Sequence, residues 1–584
     1  MSVSPQSHVM LAALEQAVRR GVQSVLPALS DAEYVPAFEH PADTSHGEWS
    51  TNIALQLFGQ HKSELVDIRS PRQFAETLVV GMGEIPSVTV SVAGPGFINF
   101  SYAPAVFLQT LDTIQQGTVE ALLPAYGTGQ TAVVEYSSPN IAKPFTIGHL
   151  RSTIIGDAVA NLLEATGWTV KRDNHLGDWG TQFGKQICAI KKWGDEEEIA
   201  QSERPVKKLV ELYVKFHAEA EENPELVDEG RAWFKKLEDG DLEARRLWQK
   251  CIDWSWKEFN QIYEELGVRF TENDGRGYGE SYFEDKMDVV VEELETKNLL
   301  TDSEGARLVF FPDDQYPPLM VIKKDGTTLY ATRDLATDKF RLQKYGADVR
   351  IINEVGAEQS LYFQQIFAIE LMLGWVEPDQ RVHVKHGMFR FKDGKMSTRK
   401  GNVIWLEDVL QEARERAQQL GDDPEHAQTI ASAVGIGALK WNDLKRSAHL
   451  DVVFDWDEML SMEGNSGPYM QYTVVRGKSV LQKWQESGFT ATATTEADIT
   501  PEGLEILRLL SRYGEAVERA AQEYAPHLLA NALFEIAQSF NTFYNKHQIV
   551  ADGVPQVRID LVNATVAVLS HGLGLLGIET VDRM

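Results

Sequence analysis

The sequence predicts an α/β protein with a doubly wound parallel sheet, an α+β region before the sheet and an all-helical region after it. Three observations support this prediction. A strand, a loop, an amphipathic helix and a second strand follow one another over residues 131–171, which is a βαβ unit. Alternating apolar and polar residues come before this unit, and helical periodicity dominates after about residue 425. We therefore expect a central sheet domain between two flanking domains.

The region before the sheet contains a predicted hairpin. Between Val88 and Val92, valines alternate with polar residues, and Ala93-Gly94-Pro95-Gly96 marks a turn. The alternation resumes from Ile98 to Tyr102, so the two runs are typical of paired strands. We therefore predict a small α+β domain over residues 1–115.

The βαβ unit begins with the apolar run Thr131–Tyr136. Its helix is indicated by apolar residues at every fourth position, Gly167 is a plausible helix end, and Trp168 begins the next strand. The residues of the helical stripe are Leu150, Ile154, Ala158 and Leu162.

The remaining elements extend the sheet domain to about residue 425. Residues 190–267 are rich in Glu, Lys and Trp and predict a mostly helical insertion, after which strand-like runs return at 307–311, 319–322 and 348–353. From there the pattern is helical to the end, with the apolar stripe Leu529, Leu533, Ile536, Phe540, Phe543 and His547. We therefore predict domains over 116–425 and 426–584.

Composition and charge exclude several classes of protein. The 584 residues are 43% hydrophobic and 24% charged, which excludes a disordered, collagen-like, coiled-coil or small disulfide-stapled chain. Cys188 and Cys251 lack Cys-x-x-Cys neighbours, so we expect no cysteine-based zinc site and a reducing compartment. With no signal-peptide pattern or membrane-spanning apolar run, we expect a cytoplasmic protein without membrane contact. The net charge of −30 argues weakly against nucleic-acid binding, because polyanions repel.

The loop that follows the first strand of the βαβ unit carries the first chemical motif, Ser137-Ser-Pro-Asn-Ile-Ala-Lys-Pro-Phe-Thr-Ile-Gly-His149. Ligands of open parallel sheets bind at the carboxyl ends of the strands, where a helix N-terminus attracts phosphate. Gly148 allows a flat ring to approach the backbone, His149 can donate a hydrogen bond to phosphate, and Lys143 adds charge. The alternative is a helix cap with a core histidine.

A second motif, Phe391–Asn402, is a glycine-bounded loop with four cations. Lysine and arginine on such a loop can close over a pyrophosphate and stabilise charge on a transferring phosphate. The alternative is a solvated basic loop. The four cations are Lys392, Lys395, Arg399 and Lys400.

Together the two motifs resemble the signatures of class I aminoacyl-tRNA synthetases. Longer sequence segments of the chain resemble those of arginyl-tRNA synthetases. The resemblance extends from near residue 45 to the C-terminus. The strings that carry it are Gly94–Asn99, Glu135–Phe145, Gly148–Asp157, Asn174–Gly184, Asp325–Asp334, Met396–Asn402 and Gly464–Tyr472.

The resemblance implies a Rossmann-like catalytic domain between an N-terminal tRNA-binding domain and an α-helical anticodon-binding domain. Enzymes of this family join L-arginine to ATP as arginyl-adenylate, release pyrophosphate, and transfer arginine to the terminal ribose of tRNA(Arg). We therefore expect ATP with Mg²⁺, arginine and tRNA(Arg) as partners of a monomeric enzyme, without a protein ligand assigned to the metal.

By resemblance, the ATP contacts lie on the two signatures. The catalytic residues are expected to be Lys143, His149 and Lys395, because phosphoryl chemistry depends on positioning and charge stabilisation. The expected ATP-binding residues are Thr146, Gly148, His149, Lys395, Ser397, Arg399 and Lys400.

Two positions depart from the signatures. Thr146 replaces the first histidine of the usual His-x-Gly-His, and a hydroxyl can donate a hydrogen bond but carries no positive charge. Thr398 replaces the second lysine of the second signature, a change for which Lys143 is thought to compensate in arginyl enzymes.

A guanidinium substrate requires planar acceptors that form paired hydrogen bonds. By resemblance, Asp334 binds the guanidinium and Tyr330 packs alongside, while Glu135, Asn140 and Gln359 make further contacts to arginine. The alternatives are a helix N-cap for Asp334 and a strand-end salt bridge for Glu135.

The candidate tRNA contacts are Asn99 on the predicted hairpin and Tyr472 and Tyr544 in the helical region. Their alternatives are a hydrogen-bonded strand residue and ordinary core aromatics. For the whole chain, the alternative function is a catalytically impaired, synthetase-like tRNA-binding protein, motivated by Thr146 and Thr398. A synthetase for another amino acid is disfavoured by Tyr330 and Asp334, because a carboxylate pocket suits a cation.

Overall fold

The computed structural model describes residues 5–41, 43–324, 330–391, 404–419 and 427–584. The chain divides into two compact units. The first comprises residues 1–124, 472–519 and 531–572, and the second comprises 125–471, 520–530 and 573–584. The domain boundaries near residues 115 and 425 stay predictions.

The described residues form strands, α-helices and short 3-10 helices. The strands are β1 (Trp49–Thr51), β2 (Val88–Ala93), β3 (Phe97–Tyr102), β4 (Thr131–Glu135), β5 (Thr169–Asp173), β6 (Leu300–Ser303), β7 (Ala306–Val309), β8 (Leu319–Ile322), β9 (Arg350–Gly356), β10 (Arg381–His386), β11 (Phe389–Phe391) and β12 (Val452–Phe454). The α-helices are α1 (Pro5–Val25), α2 (Ile53–Gln60), α3 (Pro71–Met82), α4 (Pro104–Gln116), α5 (Ile147–Ala165), α6 (Thr181–Trp193), α7 (Glu196–Gln201), α8 (Pro205–Glu222), α9 (Glu225–Glu238), α10 (Leu242–Glu265), α11 (Met287–Thr296), α12 (Tyr330–Tyr345), α13 (Ser360–Leu373), α14 (Leu406–Gln418), α15 (Ala427–Leu444), α16 (Trp456–Met459), α17 (Gly467–Ser487), α18 (Pro501–Ser511), α19 (Tyr513–Gln522), α20 (Pro526–Lys546) and α21 (Gln556–Leu575). The 3-10 helices are Thr44–His46, Val119–Leu122, Asn273–Gly275, Glu280–Lys286, Pro312–Asp314, Ala357–Gln359 and Glu496–Asp498.

The first unit contains the predicted hairpin. Strands β2 and β3 pair antiparallel, and β1 pairs with the other edge of β3. The turn between β2 and β3 uses Gly94 and Gly96, whose φ angles of 52° and 138° favour glycine. One face of this sheet packs on α1 and α3 through Phe100, Leu78 and Val18. The hairpin prediction is therefore confirmed.

The second unit is built on a four-stranded parallel sheet with the order β10-β9-β4-β5. Helix α5 connects β4 to β5, as the βαβ unit predicts, and Gly167 with φ of 93° follows the end of α5. The chain proceeds from β4 to one side of the sheet and from β9 to the other. The strand order therefore reverses between β4 and β9, which is where open α/β sheets bind ligands.

Two structural details differ from the sequence predictions. The runs near 307 and 319 form β7 and β8 of a separate antiparallel sheet with β6, so only the run near 348 joins the parallel sheet. The prediction of helix alone after residue 425 is wrong at β12, which pairs parallel with β11. Two adjacent valines and a phenylalanine favour this strand.

The helical segments match their sequence patterns. Helices α7–α10 lie within the region 190–267, and Asp241 caps α10 by accepting hydrogen bonds from the next turn. The apolar stripe predicted near the C-terminus lies on α20, where its five hydrophobic residues are buried. None of the helices in the described parts of the chain is long and apolar enough to cross a bilayer.

Candidate active site

A cavity of about 610 Å³ lies at the carboxyl ends of the parallel strands in the second unit. Glu135 at the end of β4, Asn353 in β9 and His386 at the end of β10 form part of its wall. The N-terminal turn of α5 and one side of α12 complete much of the remaining lining. The cavity therefore occupies the position where the strand order reverses.

The structure brings eight of the predicted site residues together around this cavity. They are Glu135, Asn140, Thr146, Gly148, His149, Tyr330, Asp334 and Gln359. The predicted residues Lys395, Ser397, Arg399 and Lys400 lie outside the described residues. Lys143 is exposed and borders a small separate recess instead of the cavity.

The first signature shapes the N-terminus of α5. The backbone N–H of Thr146 donates to Nδ1 of His149 at 2.9 Å, and the Thr146 hydroxyl lies 3.1 Å from the same nitrogen. Burial lowers the pKa of His149, so its ring is neutral near pH 7. Because Nδ1 accepts a hydrogen bond, the proton of the neutral ring resides on Nε2. His149 therefore caps the helix and also retains a donor for a ligand in the cavity.

The packing of the protein does not require a glycine at position 148. A Cβ atom built on it would meet only Thr146 Oγ1 within 4 Å, at the ordinary contact distance of 3.4 Å. The residue is exposed and lines the cavity. The absent side chain therefore leaves space that a ligand can use.

Replacing Gly148 by alanine is expected to lower arginine-dependent ATP–pyrophosphate exchange by at least about tenfold, because the methyl group takes space from ATP. The apparent melting temperature should stay unchanged or rise, because alanine favours a helix over glycine. The matched control is Gly59→Ala, since Gly59 lies in α2 and a Cβ there would meet nothing within 4 Å. Equal exchange rates in the two variants would contradict the role assigned to Gly148.

Asp334 lies in a carboxylate-rich part of the cavity. The Tyr362 hydroxyl donates to Asp334 Oδ2, and His175 Nε2 lies 3.7 Å from Oδ1. Burial raises the pKa of Asp334 to about 7, against the effect of the Tyr362 hydrogen bond. Three neighbouring carboxylates add to this increase, and they are Glu135, Asp338 and Glu280. A pocket of this charge favours a cationic ligand.

The structure tests the two structural alternatives, a helix N-cap for Asp334 and a strand-end salt bridge for Glu135, and only the second is present. Asp334 lies in the second turn of α12, so the N-cap interpretation of this residue is wrong. Glu135 does form the strand-end salt bridge, with its Oε2 atom 2.6 Å from Nη1 of Arg341. Burial raises the pKa of Glu135, but the charge and hydrogen bond of Arg341 and the charge of His175 together leave the pKa below its ordinary value. Glu135 therefore stays ionised at the cavity wall.

Arg341 is the centre of a buried ion network that the sequence analysis missed. Besides Glu135, it pairs with Asp173 at 2.9 Å and Asp338 at 3.2 Å, and Asp338 also pairs with Arg381 at 2.7 Å. Asp173 lies 168 positions away from Arg341, so no local spacing indicates the contact. The network fixes the ends of β4 and β5 against α12.

A second pair on the cavity wall, Glu354 with His386, was also missed. His386 Nδ1 lies 2.7 Å from Glu354 Oε1. A usable signal existed for both residues, because they occur at or near the carboxyl ends of parallel strands.

The chain that follows residue 403 is bonded to the first signature. The N–H of Ile147 donates to the carbonyl of Ile404 at 3.2 Å, and the N–H of Leu406 donates to the carbonyl of Phe145 at 2.9 Å. On the other side of residues 392–403, His386 lines the cavity. The described residues on both sides of the second motif are therefore close to the first.

The candidate tRNA contacts lie in the first unit, on β3, α17 and α20. Asn99 is buried on β3, opposite Ser50 and Ser91, which favours the alternative of a structural strand residue. Tyr472 and Tyr544 are half-buried and share the guanidinium of Arg476, at 4.9 and 5.2 Å from their ring centres.

The parallel sheet, its cavity and the helix N-terminus define the catalytic domain of a class I aminoacyl-tRNA synthetase. Residues 114–456 match the family model "tRNA synthetases class I (R), catalytic domain". Residues 12–102 match "Arginyl tRNA synthetase N terminal domain", and residues 470–584 match "DALR anticodon binding domain". The chain belongs to the arginyl-tRNA synthetase family.

Individual relatives agree with this assignment. The chain is 42% identical to an arginine–tRNA ligase of Clostridium perfringens over 525 residues. The aligned region covers 88% of this chain and 91% of the relative. It is also 40% identical to an arginine–tRNA ligase of Exiguobacterium sp. over 555 residues. The aligned region covers 94% of this chain and 95% of that relative. The crystal structure of arginyl-tRNA synthetase from Plasmodium falciparum has the same fold, with a TM-score of 0.79 at 20% identity over 100% of both chains.

Proposed function

We infer that this enzyme is an arginine–tRNA ligase. It activates arginine with ATP to arginyl-adenylate and pyrophosphate, and then transfers arginine to the terminal ribose of tRNA(Arg). The observation that carries this function is a carboxylate pocket and a phosphate-binding helix terminus in one cavity, at the switch point of a class I catalytic domain.

The arginine half of the cavity is the part around Asp334. Its carboxylate pairs with the guanidinium and Tyr330, at the first turn of α12, covers it. Asn140, from the loop after β4, and Gln359, from the 3-10 helix after β9, supply polar side chains on the cavity wall. Glu135 is already held by Arg341, so it contributes negative charge more than a free pair of acceptors.

The ATP half of the cavity is the part around the N-terminus of α5. Its backbone N–H groups and the Nε2–H of His149 bind phosphate oxygens, and Gly148 provides space for a flat ring. Thr146 acts there by orienting His149. Lys395, Ser397, Arg399 and Lys400 are proposed as further ATP contacts from the second signature.

Magnesium enters with ATP as part of the substrate. Over the described ranges, no group of three or more His, Cys, Asp or Glu side chains is placed to hold a metal ion. We therefore assign no protein ligand to Mg²⁺.

The tRNA contacts proposed for the first unit are Tyr472 and Tyr544. The two half-buried tyrosine rings provide stacking surfaces for unpaired bases, and the guanidinium of Arg476 near both rings provides positive charge. Asn99 is kept as a candidate of lower priority because its side chain is buried. The enzyme is proposed to be a cytoplasmic monomer.

The test is charging of total tRNA by the purified protein with ATP, Mg²⁺ and labelled arginine, with labelled lysine as the control. Arginine-specific charging supports the proposed function. Binding of tRNA without charging would favour the synthetase-like binding protein instead. Nothing in the comparisons supports that alternative.

Lys143→Ala is expected to slow adenylate formation by about a hundredfold, because Lys143 supplies charge that Thr398 lacks. Lys143 is exposed and does not line the cavity, but its charge acts on the half-buried carboxyl of Glu280, which does. Single-turnover formation of arginyl-adenylate measures the effect, and Lys257→Ala, on an exposed position of α10, is the control for lost charge. A Lys143→Ala rate within about twofold of the parent would exclude this role.

A further inference from the structure

The cavity wall contains an acid–imidazole pair to which none of the preceding roles has been assigned. His386 is the last residue of β10, and Glu354 lies in the neighbouring strand β9. The Nδ1 atom of His386 and Oε1 of Glu354 are 2.7 Å apart. The Glu354 side chain is only 1% exposed, and both residues line the cavity.

The pair keeps one donor available. Nδ1 of His386 is engaged by Glu354, while Nε2 has no hydrogen-bond partner among the described residues. Burial alone lowers the pKa of His386, but the charge and the hydrogen bond of Glu354 together raise it above its ordinary value. His386 therefore carries positive charge at the cavity wall more readily than a free histidine.

The charged surroundings of His386 come from four elements. On its own strand β10 lies His383, and on β9 lies Glu354. Helix α5 contributes His149 and Arg151, and helix α15 contributes Asp443, which pairs with Arg151 at 2.9 Å. Because Arg151 and Asp443 neutralise each other, Glu354 is the partner that decides the charge of His386.

His386 and His149 both line the cavity, and the charge of His386 acts on the ring of His149. His149 is neutral and its first-signature neighbour is Thr146, so the signature itself contributes no imidazolium. A cationic donor beside it would meet the phosphates that His149 binds.

We propose that His386 is a further catalytic residue for arginine activation, which binds a phosphate oxygen of ATP through Nε2–H as an imidazolium held by Glu354. This role rests on the proposed function. Glu354 is the positioning residue, because it acts through His386.

The assisted step balances without a proton transfer. A carboxylate oxygen of arginine forms a bond to the α-phosphorus while the bond from that phosphorus to the bridging oxygen breaks. The electron pair of the broken bond leaves with pyrophosphate, and His386 stabilises the charge that accumulates on the phosphate oxygens.

The test compares His386→Gln, Glu354→Gln and His383→Gln with the parent in arginine-dependent ATP–pyrophosphate exchange, with tRNA present and arginine saturating. His386→Gln is expected to lower kcat about a hundredfold, because the neutral amide cannot replace a preorganised cationic donor. His383→Gln is the control on the same strand, since its ring bonds the carbonyl of Val355 and does not line the cavity. Circular dichroism and the KM for arginine verify that the variants fold.

The pH profile separates charge from structure. The parent kcat should decline at alkaline pH as the imidazolium loses its proton, and Glu354→Gln should move this decline to lower pH because it removes the carboxylate. Exchange by His386→Gln within about threefold of the parent, or coincident profiles for Glu354→Gln and the parent, would overturn the proposal. A parent that charges no arginine would instead refute the proposed function itself.

Discussion

Asp334→Asn is expected to raise the KM for arginine about a thousandfold, equivalent to about 4 kcal/mol, while the KM for ATP stays near the parent value. The variant keeps the shape of the side chain and removes its charge. The guanidinium of arginine then faces an amide whose N–H₂ group cannot accept a hydrogen bond. Steady-state exchange kinetics at varied arginine and ATP measure the two constants separately.

The parent enzyme should bind arginine more tightly as the pH rises through about 7. Burial and neighbouring carboxylates raise the pKa of Asp334 to about 7, so the acid is partly protonated at neutral pH. Only the ionised form attracts a cation, and affinity falls about tenfold for each pH unit below the pKa. Above the pKa the affinity should level off. Asp334→Asn should show no such dependence between pH 6 and 8.

Two controls define the result. Asp348→Asn changes the net charge equally at an exposed position and should leave the KM for arginine unchanged. Citrulline, the uncharged analogue of arginine, should inhibit the parent poorly. Its inhibition constant should be similar for the parent and for Asp334→Asn. A variant with parental arginine KM would show that another carboxylate binds the guanidinium.

Much of the site could be predicted because its residues belong to short strings with a fixed relation to the sheet. Gly148 and His149 follow the first strand of a βαβ unit, and parallel strands present their carboxyl ends on one edge. Glu135 ends that strand, so its place on the cavity wall follows from the same rule. The position of Asp334 came from the family resemblance, since a carboxylate within a helical run has no local signal that separates a ligand from a cap.

Long-range pairings could not be predicted in this way. Arg341 and Asp338 lie three positions apart on α12, but the partners Asp173 and Glu135 are more than 160 positions away, and no local spacing indicates them. Strands β7 and β8 illustrate the same limit, because alternation indicates a strand without indicating which sheet it joins. Burial of Asn99 likewise depends on the tertiary packing of β3 and not on its own residue type.

Arg341→Met is expected to lower the apparent melting temperature of the catalytic unit by about 5 °C, because removing one partner of a buried ion pair costs about 3–5 kcal/mol. The Arg341 side chain is 1% exposed, and its three carboxylate partners are each 10% exposed or less. Methionine fills much of the volume but leaves those carboxylates without a shared cation. Differential scanning calorimetry at pH 7 measures the change. The matched control is Arg231→Met, whose exposed pair with Asp228 should change stability by less than about 1 kcal/mol.

The pH dependence of this loss distinguishes an electrostatic cause from a packing cause. Burial raises the pKa values of Glu135 and Asp338, but nearby cations and hydrogen bonds together hold both below their ordinary values, with Arg341 acting on both and Arg381 also acting on Asp338. The parent therefore gains stability from these carboxylates above their unfolded pKa values and loses it as the pH falls through the lower folded values. Without Arg341 the buried carboxyl groups accept protons at higher pH. Lowering the pH therefore removes the unpaired charges that destabilise the variant. The difference in melting temperature should shrink between pH 7 and pH 5, whereas a constant difference would indicate that Arg341 acts through packing alone.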